Sequence, residues 1–304
     1  MKQHSSQQPL LYIILAFAAI YIVWGSAYVC NKILVTELPP FLIAGSRFVT
    51  AGVLILIISY FFDVRAKPTG GQLANAVVAG FMFLTLGNGF LVYGLQYLDS
   101  NFAALLVSAE PLVVLLLLLA LRGQPIGAKS IIGVLLGLVG IYLLVSQEGI
   151  VLEVGSWKGL AAIAVSMVAW GYASIFVGDA DLPKGHFFNT GVQMIAGGLL
   201  LFMLSLATED YNFNLSDVSS RAWFSLIYLI IFASIVAFTA FNYLLKYVSP
   251  EKVATSNYVN PIVAMILGWL LLGEVLSAQS GVAAMVLLLG VYFVNSSKSS
   301  KSST

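Results

Sequence analysis

The chain has 304 residues, of which 60% are hydrophobic and only 9% are charged, and its mean hydropathy is +0.97. An ordinary globular domain carries about 25% charged residues, so this composition excludes a soluble fold of the same length. The net charge of +1 provides no basic surface for DNA or RNA. The composition therefore predicts an all-α polytopic membrane protein that has short loops and no nucleic-acid partner.

Apolar windows near the length of a membrane-spanning helix occur ten times along the chain. Such a helix needs about 20 apolar residues. We predict a transmembrane helix in each window: residues 10–31, 41–61, 73–93, 102–121, 130–145, 159–176, 188–207, 223–245, 253–272 and 280–294. The first window is too long for a cleaved signal peptide and lacks a small-residue cleavage site, so we interpret it as a retained helix.

The basic residues of the short loops predict the orientation of these helices. Cytoplasmic loops carry an excess of Lys and Arg. If the N-terminus is cytoplasmic, ten of the 14 basic residues lie inside, three lie outside, and Arg47 falls within a span. We therefore expect both termini in the cytoplasm. The Ser- and Lys-rich tail, residues 297–304, is predicted to be a disordered cytoplasmic end.

An internal repeat relates the two halves of the chain. Residues 97–111 align with 247–261 at a shift of 150, and Trp24-Gly25 aligns with Trp170-Gly171 at a shift of 146. Each half holds five predicted helices, so the second half must enter the membrane from the opposite side. We predict two inverted repeats, residues 1–148 and 156–296. This architecture is typical of alternating-access transporters; the alternative is a duplicated helix bundle without transport activity, such as a receptor or scaffold.

Two charged residues fall inside predicted spans. Arg47 lies near the start of the second span, and Glu110 lies near the centre of the fourth. A charge within the membrane is costly and usually faces a cavity or a partner. Both side chains are therefore candidates to contact substrate in a central cavity. The alternatives are a structural ion pair, or an Arg47 side chain that extends to the outer interface.

Two prolines follow polar residues at matched positions of the repeat. Pro111 follows Glu110, and Pro261 follows Asn260. Proline removes a backbone donor and kinks a helix. Broken helices at corresponding positions of two halves indicate a binding site, so Glu110 and Asn260 are predicted to line it. The alternative is a pair of kinks that serve packing alone.

Aromatic and amide side chains within the spans complete the predicted cavity. The matched Trp24 and Trp170 offer flat aromatic faces to an amphipathic or cationic solute. Gln193 matches Arg47 in the repeat. The alternative for each buried amide is a hydrogen bond between helices. The further candidates are Tyr28, Asn88, Tyr93, Gln193, Asn242 and Tyr258.

Signatures of metal, cofactor and enzyme sites are missing from the sequence. Cys30 is the single cysteine, and both histidines fall outside the apolar windows, so we expect no metal site. No phosphate-binding loop, HExxH or GxSxG motif occurs, and we predict neither a cofactor nor an enzyme. A stripe of Gly133, Gly137 and Gly140 indicates close helix packing or a dimer face, which leaves monomer and homodimer open.

Five short motifs follow one another along the chain: Trp24-Gly25-Ser26, Gly45-Ser46-Arg47-Phe48, Gly87-Asn88-Gly89, Ala109-Glu110-Pro111 and Val259-Asn260-Pro261. In this order the chain resembles the drug/metabolite transporter superfamily, specifically its EamA-type exporters, over nearly its whole length. The resemblance implies ten helices in two inverted repeats in the bacterial inner membrane, and export of amino acids, other small metabolites or drugs. Gln124 departs from the Glu that is common there, whereas Gly273-Glu274 keeps it; we interpret this pair as structural.

The sequence thus predicts a secondary transporter that exports a small organic solute by alternating access. A proton is a candidate coupling ion, with Glu110 as the group that exchanges it. The alternative is a passive facilitator or channel for small solutes on the same fold. The lipid bilayer and the solute are the expected partners.

Overall fold

A computed structural model describes residues 10–63, 67–123, 127–146, 155–248, 253 and 256–296, and the regular structure within these ranges is helical. Each helix is labelled in chain order. They are α1 (Leu10–Val35), α2 (Pro40–Phe62), α3 (Gly70–Gly94), α4 (Ser100–Arg122), α5 (Ala128–Val145), α6 (Ser156–Asp179), α7 (His186–Thr208), α8 (Ser220–Tyr228, Leu229–Phe238 and Thr239–Tyr247), α9 (Ser256–Leu272) and α10 (Ala278–Ser296).

Seven of the helices in the described ranges are long and apolar enough to cross a membrane. The others, α5, α9 and α10, are also apolar, but their apolar stretches are shorter than those of the seven. The all-helical membrane fold expected from the composition is confirmed, and a count of ten spans stays a prediction for these three. Many large apolar side chains on the helices are exposed, as lipid contact requires.

The first helix continues past its predicted end at residue 31 because its polar residues have partners. The Asn31 amide nitrogen donates to the Ala27 carbonyl oxygen at 2.9 Å. The Lys32 ammonium donates to the carbonyl oxygens of Leu95 and Leu98, both at 2.9 Å. Since these two carbonyls lie at and beyond the end of α3, Lys32 joins the C-terminal ends of α1 and α3.

Helices α3 and α8 each contain a π-helical segment, Phe81–Gly89 and Leu229–Phe238. π-helical turns are rare and frequent at functional sites. Carbonyl oxygens within both segments accept hydrogen bonds from side chains of other helices. Gly87 accepts from the Ser166 hydroxyl at 2.6 Å, and Ala233 accepts from the Trp24 indole at 3.3 Å. The two carbonyls are 146 residues apart, which is a spacing of the sequence repeat.

Helices α2 and α7 form a close antiparallel pair. A Cβ added at Gly52 would lie 2.7 Å from Ile195 Cγ1, and one added at Gly45 would lie 3.2 Å from the Phe202 nitrogen. Small residues of this kind let two membrane helices approach at backbone distance. The pairing places the N-terminal part of each helix beside the C-terminal part of the other.

The same two helices cap each other. The Glu209 carboxylate, which follows α7, accepts from the backbone nitrogens of Phe41 at 2.7 Å and Leu42 at 3.0 Å. The Asp63 carboxylate, which follows α2, accepts from the Phe188 nitrogen at 2.6 Å. A carboxylate at a helix N-terminus satisfies free N–H groups and opposes the helix dipole. The N-terminus of each helix is thereby capped by the carboxylate that follows the other helix.

Helices α5 and α10 form a second close pair. A Cβ added at Gly140 would lie 2.7 Å from Leu287, and one added at Gly290 would lie 2.8 Å from the Gly133 carbonyl oxygen. Gly137 packs against Leu112 of α4. The glycine stripe that left a dimer face open is therefore used in contacts within the chain.

Contacts between helix ends divide the loops into two opposite faces. We call them the Val35 face, where α1 ends and α2 begins, and the Asp63 face, where α2 ends and α7 begins. The Arg122–Asp179 ion pair joins the ends of α4 and α6 on the Asp63 face. On the Val35 face, the Gln279 amide donates to the Leu143 carbonyl oxygen at 2.8 Å, joining the start of α10 to the end of α5.

Two carboxylates on the Val35 face cap helices that are distant in sequence. Glu274 accepts from the Ser100 nitrogen at 2.7 Å and the Asn101 nitrogen at 3.1 Å, at the start of α4. Glu37 accepts from the Ser219 nitrogen at 2.7 Å and hydroxyl at 2.6 Å, at the start of α8. The Ser219 hydrogen bonds hold the pKa of the Glu37 carboxyl below its ordinary value. This exposed contact is therefore complete at neutral pH and is lost as the pH falls through the lowered pKa.

Candidate functional site

Arg47 is the buried charge at the centre of the described bundle. Its side chain is 3% exposed. The Nε atom donates to the Ser234 hydroxyl at 2.7 Å, and one terminal nitrogen lies 3.5 Å from the Asn88 amide oxygen. In the described part of the chain, the ion pair within 4.0 Å is Arg122–Asp179, so Arg47 forms no ion pair with Glu110 there. Its burial also excludes an extension to the outer interface in this conformation.

The two hydrogen-bond partners of Arg47 occupy matched positions. Asn88 lies on the π-helical segment of α3, and Ser234 lies on that of α8. They are 146 residues apart, so the repeat spacing applied to Asn88 identifies Ser234, which was not among the residues predicted from the sequence. Guanidinium carries five N–H donors, and the described residues engage two of them. The remaining donors suit a carboxylate or another planar anion.

Five aromatic rings form a cluster around the paired tryptophans. Trp24 and Trp170 meet edge to face with their centroids 5.8 Å apart. Phe241 lies 5.1 Å from Trp24 and 5.8 Å from Trp170. Phe83 lies 4.8 Å from Trp170 and 6.1 Å from Phe238. We call these five rings the aromatic cluster. It brings together the two predicted tryptophans, and its three phenylalanines were not among the residues predicted from the sequence.

Glycine gives Trp170 its place in the cluster. A Cβ added at Gly87 would lie 3.0 Å from Trp170 Cε3, so the indole rests on the backbone of the π-helical segment. On the other side, the hydrogen bond to Ala233 fixes the Trp24 ring. The cluster therefore joins α1, α3, α6 and α8, and it draws rings from both halves of the chain.

Glu110 begins the second part of α4. The helix is interrupted between Val107 and Glu110, directly before Pro111. The Glu110 side chain is half-buried, and no hydrogen bond or ion pair to it is found among the residues that the structure describes. The buried Tyr28 lies within electrostatic range of its carboxylate.

Asn260 differs from its repeat counterpart Glu110. With its amide nitrogen turned toward acceptors, it donates to the Tyr21 carbonyl oxygen at 2.9 Å and the Ile20 carbonyl oxygen at 3.2 Å. These hydrogen bonds join α9 to α1 and satisfy the Asn260 amide within the bundle. Pro261 lies inside α9 without interrupting it.

The other candidate residues are dispersed. Tyr93 stacks on Phe41 with their ring centroids 5.4 Å apart, toward the Val35 face. The Asn242 amide donates to the Thr190 hydroxyl at 3.2 Å. Gln193 is fully buried, and both of its amide atoms lack a partner among the described residues. The side chain of Tyr258 lies outside the part of the chain that the structure describes.

Two open surface depressions lie away from Arg47, Glu110 and the two central tryptophans. One of about 420 Å³ lies between α1 and α8 and is lined by Tyr12, Ala16, Val236, Thr239, Ala240 and Tyr243. The other, of about 500 Å³, lies on α10. Neither is lined by Arg47, Glu110 or the two central tryptophans. In this conformation the aromatic cluster occupies the space between the helices that carry the candidate residues.

Both halves of the chain match a known protein family. Residues 10–146 and residues 157–296 each match the EamA-like transporter family. The chain belongs to the EamA-like transporter family. This membership confirms the resemblance carried by the five sequence motifs, and it fits an apolar helical bundle without a soluble domain in the described ranges.

Relatives of this EamA-like protein carry transporter names. "Uncharacterized inner membrane transporter YedA" of Escherichia coli K12 is 33% identical over 285 residues, covering 93% of this chain and 90% of that protein. A WAT1-related chloroplastic protein of Arabidopsis thaliana is 29% identical, covering 90% of this chain and 66% of its own. One crystal structure superposes with a TM-score of 0.66 at 18% identity, covering 94% and 96% of the two chains, and supports the fold.

Proposed function

We propose that this EamA-like protein is a secondary active transporter that exports small organic solutes bearing a carboxylate, amino acids and related compounds, by alternating access. The observation that carries the proposal is Arg47, a buried guanidinium without a carboxylate partner among the described residues. A buried cation within a membrane helix is energetically costly, and such residues typically mark substrate or ion pathways. A solute carboxylate that enters the site would supply the missing counter-charge.

Inverted repeats, residues 1–148 and 156–296, account for the matched contacts. The reciprocal caps of Asp63 and Glu209 lie at opposite ends of one antiparallel pair and are 146 residues apart. Matched π-helical carbonyls, Gly87 and Ala233, each accept a side-chain hydrogen bond from a helix of the opposite half, Gly87 from Ser166 and Ala233 from Trp24. These pairs support two inverted repeats, and the proposal extends to ten spans with both termini on the Asp63 face.

Alternating access requires a barrier that both halves build and that their relative movement can open. The aromatic cluster has these properties because it takes Trp24 and Phe83 from the first half and Trp170, Phe238 and Phe241 from the second. Rocking of one half against the other would separate these rings. The rings would then close again behind the solute.

Glu110 is the proposed proton carrier. It is a half-buried carboxylate at a helix interruption, and no ion pair holds it within the described ranges. A carboxyl group in this position can take up and release a proton as its access changes. The Lys and Arg distribution supports a cytoplasmic Asp63 face in the bacterial inner membrane, so solute would leave the cell through the Val35 face.

The experiment compares Arg47→Gln with Arg122→Gln, a cation in an exposed ion pair, in proteoliposomes. Hydrogen bonds to charged groups contribute about 1.5–3 kcal/mol, so we expect the apparent affinity for labelled amino acids to fall about 10- to 150-fold in Arg47→Gln. Arg122→Gln should match the wild type, and Arg47→Lys should recover part of the loss. Equal affinities for Arg47→Gln and wild type would contradict the proposed role.

The passive facilitator is distinguished in the same vesicles. A carrier shows counterflow, in which unlabelled solute inside accelerates entry of labelled solute, whereas a pore does not. The aromatic cluster between the helices favours the carrier, because a facilitator of the channel type needs a continuous opening. A rate of labelled influx that does not change with unlabelled solute inside the vesicles would favour the channel.

A further inference from the structure

A second polar site lies on α7 and the adjoining part of α8. Four buried polar atoms there have no partner among the described residues: Asn189 Oδ1, Gln193 Nε2, Gln193 Oε1 and Thr239 Oγ1. One further atom of this kind, Asn31 Oδ1, is found in the described ranges. Gln193 is 0% exposed and Asn189 is 9% exposed. Buried polar groups without partners are rare in proteins, so their concentration in one place needs an explanation.

The antiparallel packing of α7 and α8 brings these residues to neighbouring levels of the two helices. The Asn242–Thr190 hydrogen bond fixes the register of the two helices. Thr239 and Gln193 each lie three residues from that contact in the direction of the Val35 face, which is about 4.5 Å along each helix. Asn189 precedes Gln193 by four residues and shares its helical face. The Asn242–Thr190 contact therefore has Gln193 and Thr239 at the next level of the two helices, and Thr239 also borders the depression between α1 and α8.

This polar site is separate from the Arg47 site. In the α2–α7 pair, Gly52 packs on Ile195 and Gly45 packs on Phe202, so Arg47 lies opposite position 200. Position 200 is seven residues from Gln193, which is about 10 Å along the helix. Gln193 is displaced toward the Asp63 face.

Aromatic side chains separate the two polar sites along the chain as well. On α3, Phe83 lies between Gly80, which packs against the backbone of Gln193, and Asn88. On α8, Phe238 lies between Ser234 and Thr239. Both rings belong to the aromatic cluster. A solute that travels from the Asp63 face to Arg47 would reach the α7–α8 site first.

The chemistry of the second site is neutral. Its unpartnered atoms include an amide donor, two amide acceptors and a hydroxyl that can do either. None of the four residues that form it, counting Asn242, carries a charge. We propose that Asn189, Gln193, Thr239 and Asn242 form an entry subsite for an uncharged hydrogen-bonding group of the solute, a hydroxyl or a carboxamide. This inference rests on the proposed transport function and adds a selectivity for such solutes.

Threonine and valine test the subsite because they differ by a hydroxyl in place of a methyl group. Initial rates of labelled threonine and valine are measured in proteoliposomes of the full-length protein. A hydrogen bond of ordinary strength changes affinity up to about tenfold, so we expect the wild type to prefer threonine by about that factor at low concentration. Thr239→Val and Gln193→Leu should bring the ratio close to one.

Thr85→Val is the matched control, because Thr85 is a buried threonine whose hydroxyl donates to the Gly197 carbonyl oxygen at 3.1 Å. It should lower the melting temperature and keep the threonine preference. Thr239→Val should keep the melting temperature and lose the threonine preference, because the Thr239 hydroxyl has no hydrogen-bond partner among the described residues that the substitution could remove. A preserved preference in Thr239→Val, or a melting temperature lowered as in Thr85→Val, would overturn the subsite. A wild type that transports both solutes equally would overturn the subsite alone, and one that transports neither would also overturn the proposed function.

Discussion

Two carboxylates within or beside the membrane helices have opposite surroundings. Glu274 is buried and accepts three hydrogen bonds, from the Ser100 nitrogen, the Ser100 hydroxyl and the Asn101 nitrogen. Glu110 is half-buried and has no such bond among the residues described. A carboxylate that accepts three hydrogen bonds has a structural role. One without such hydrogen bonds is available to bind a solute or a proton. Substitution by glutamine separates the two roles.

Glu274→Gln is expected to destabilise the protein. The amide keeps one acceptor oxygen and replaces the other by a donor that faces donors at the start of α4. Loss of the charged cap should lower the free energy of unfolding by about 1–3 kcal/mol. The melting temperature in detergent measures the effect. Glu110→Gln serves as the control and should melt close to the wild type; an equal loss in both variants would contradict this distinction.

Glu110→Gln is expected to change how transport responds to pH. In the proposed cycle the wild-type carboxyl exchanges a proton, which glutamine cannot do. Transport by the wild type should therefore depend on a pH gradient, and transport by the variant should not. Rates in proteoliposomes with and without an imposed gradient measure this. The same gradient dependence in both proteins would remove Glu110 from the coupling mechanism.

The sequence revealed some of the site residues and hid others for physical reasons. Trp24 and Trp170 stand out because tryptophan is rare and the repeat aligns them. Ser234 and Thr239 lie in an apolar window, where a single hydroxyl changes neither the hydropathy nor the periodicity. Glu274 could be recognised as structural from its loop position, but its contact with Ser100, 174 residues away, depends on how α4 and α9 pack.

Glycine contacts determine how closely the helices of each pair approach. Gly197 of α7 faces α3, and a Cβ there would lie 2.7 Å from the Gly80 carbonyl oxygen and 2.7 Å from Leu84 Cβ. Because one of these atoms belongs to the backbone, a side-chain rotation cannot relieve the overlap. In contrast, a Cβ at Gly281 of α10 meets no atom within 4 Å. The two glycines are therefore a matched pair for testing the close packing.

Gly197→Ala is expected to separate α7 from α3. Overpacking of a tight contact costs about 1–3 kcal/mol, so the melting temperature should fall by several degrees. Gly281→Ala should leave it unchanged or raise it, since alanine favours a helix over glycine. A Gly197→Ala variant as stable as Gly281→Ala would show that α3 and α7 are not in close contact.

The sequence predicts where the helices lie, but not their π-helical segments or the exact end of α1. Apolar length predicts a span wherever α1 to α4 and α6 to α8 lie, because each of these helices is long and apolar enough to cross a membrane. The π-helical segments could not be predicted, since their residues are as apolar as those of a regular helix. Helix α1 ends at Val35 and not at the predicted residue 31, because Lys32 donates to carbonyl oxygens at the end of α3. The local sequence pattern cannot indicate this distant contact.

At the scale of the whole molecule, both halves contribute to each part of the central region. Arg47 comes from the first half and is held by one residue of each half, Asn88 and Ser234. Three exposed tryptophans, Trp157, Trp223 and Trp269, lie toward the Val35 face, as an interfacial belt requires. The repeat made the pairing of halves predictable from the sequence. The closing of the centre by aromatic rings depends on packing that only the structure displays.

The central claim is that Arg47 and its two partners are reached from one side of the membrane at a time. The most direct measurement uses a single cysteine at position 234 in a Cys30→Ala background, with a membrane-impermeant thiol reagent applied from either side. Arg221→Cys on the Val35 face and Asp181→Cys on the Asp63 face serve as controls with fixed sidedness. We predict that position 234 reacts from either side, and that added solute raises labelling from one side while lowering it from the other. Labelling from both sides that rises or falls together, or from one side under every condition, would contradict alternating access.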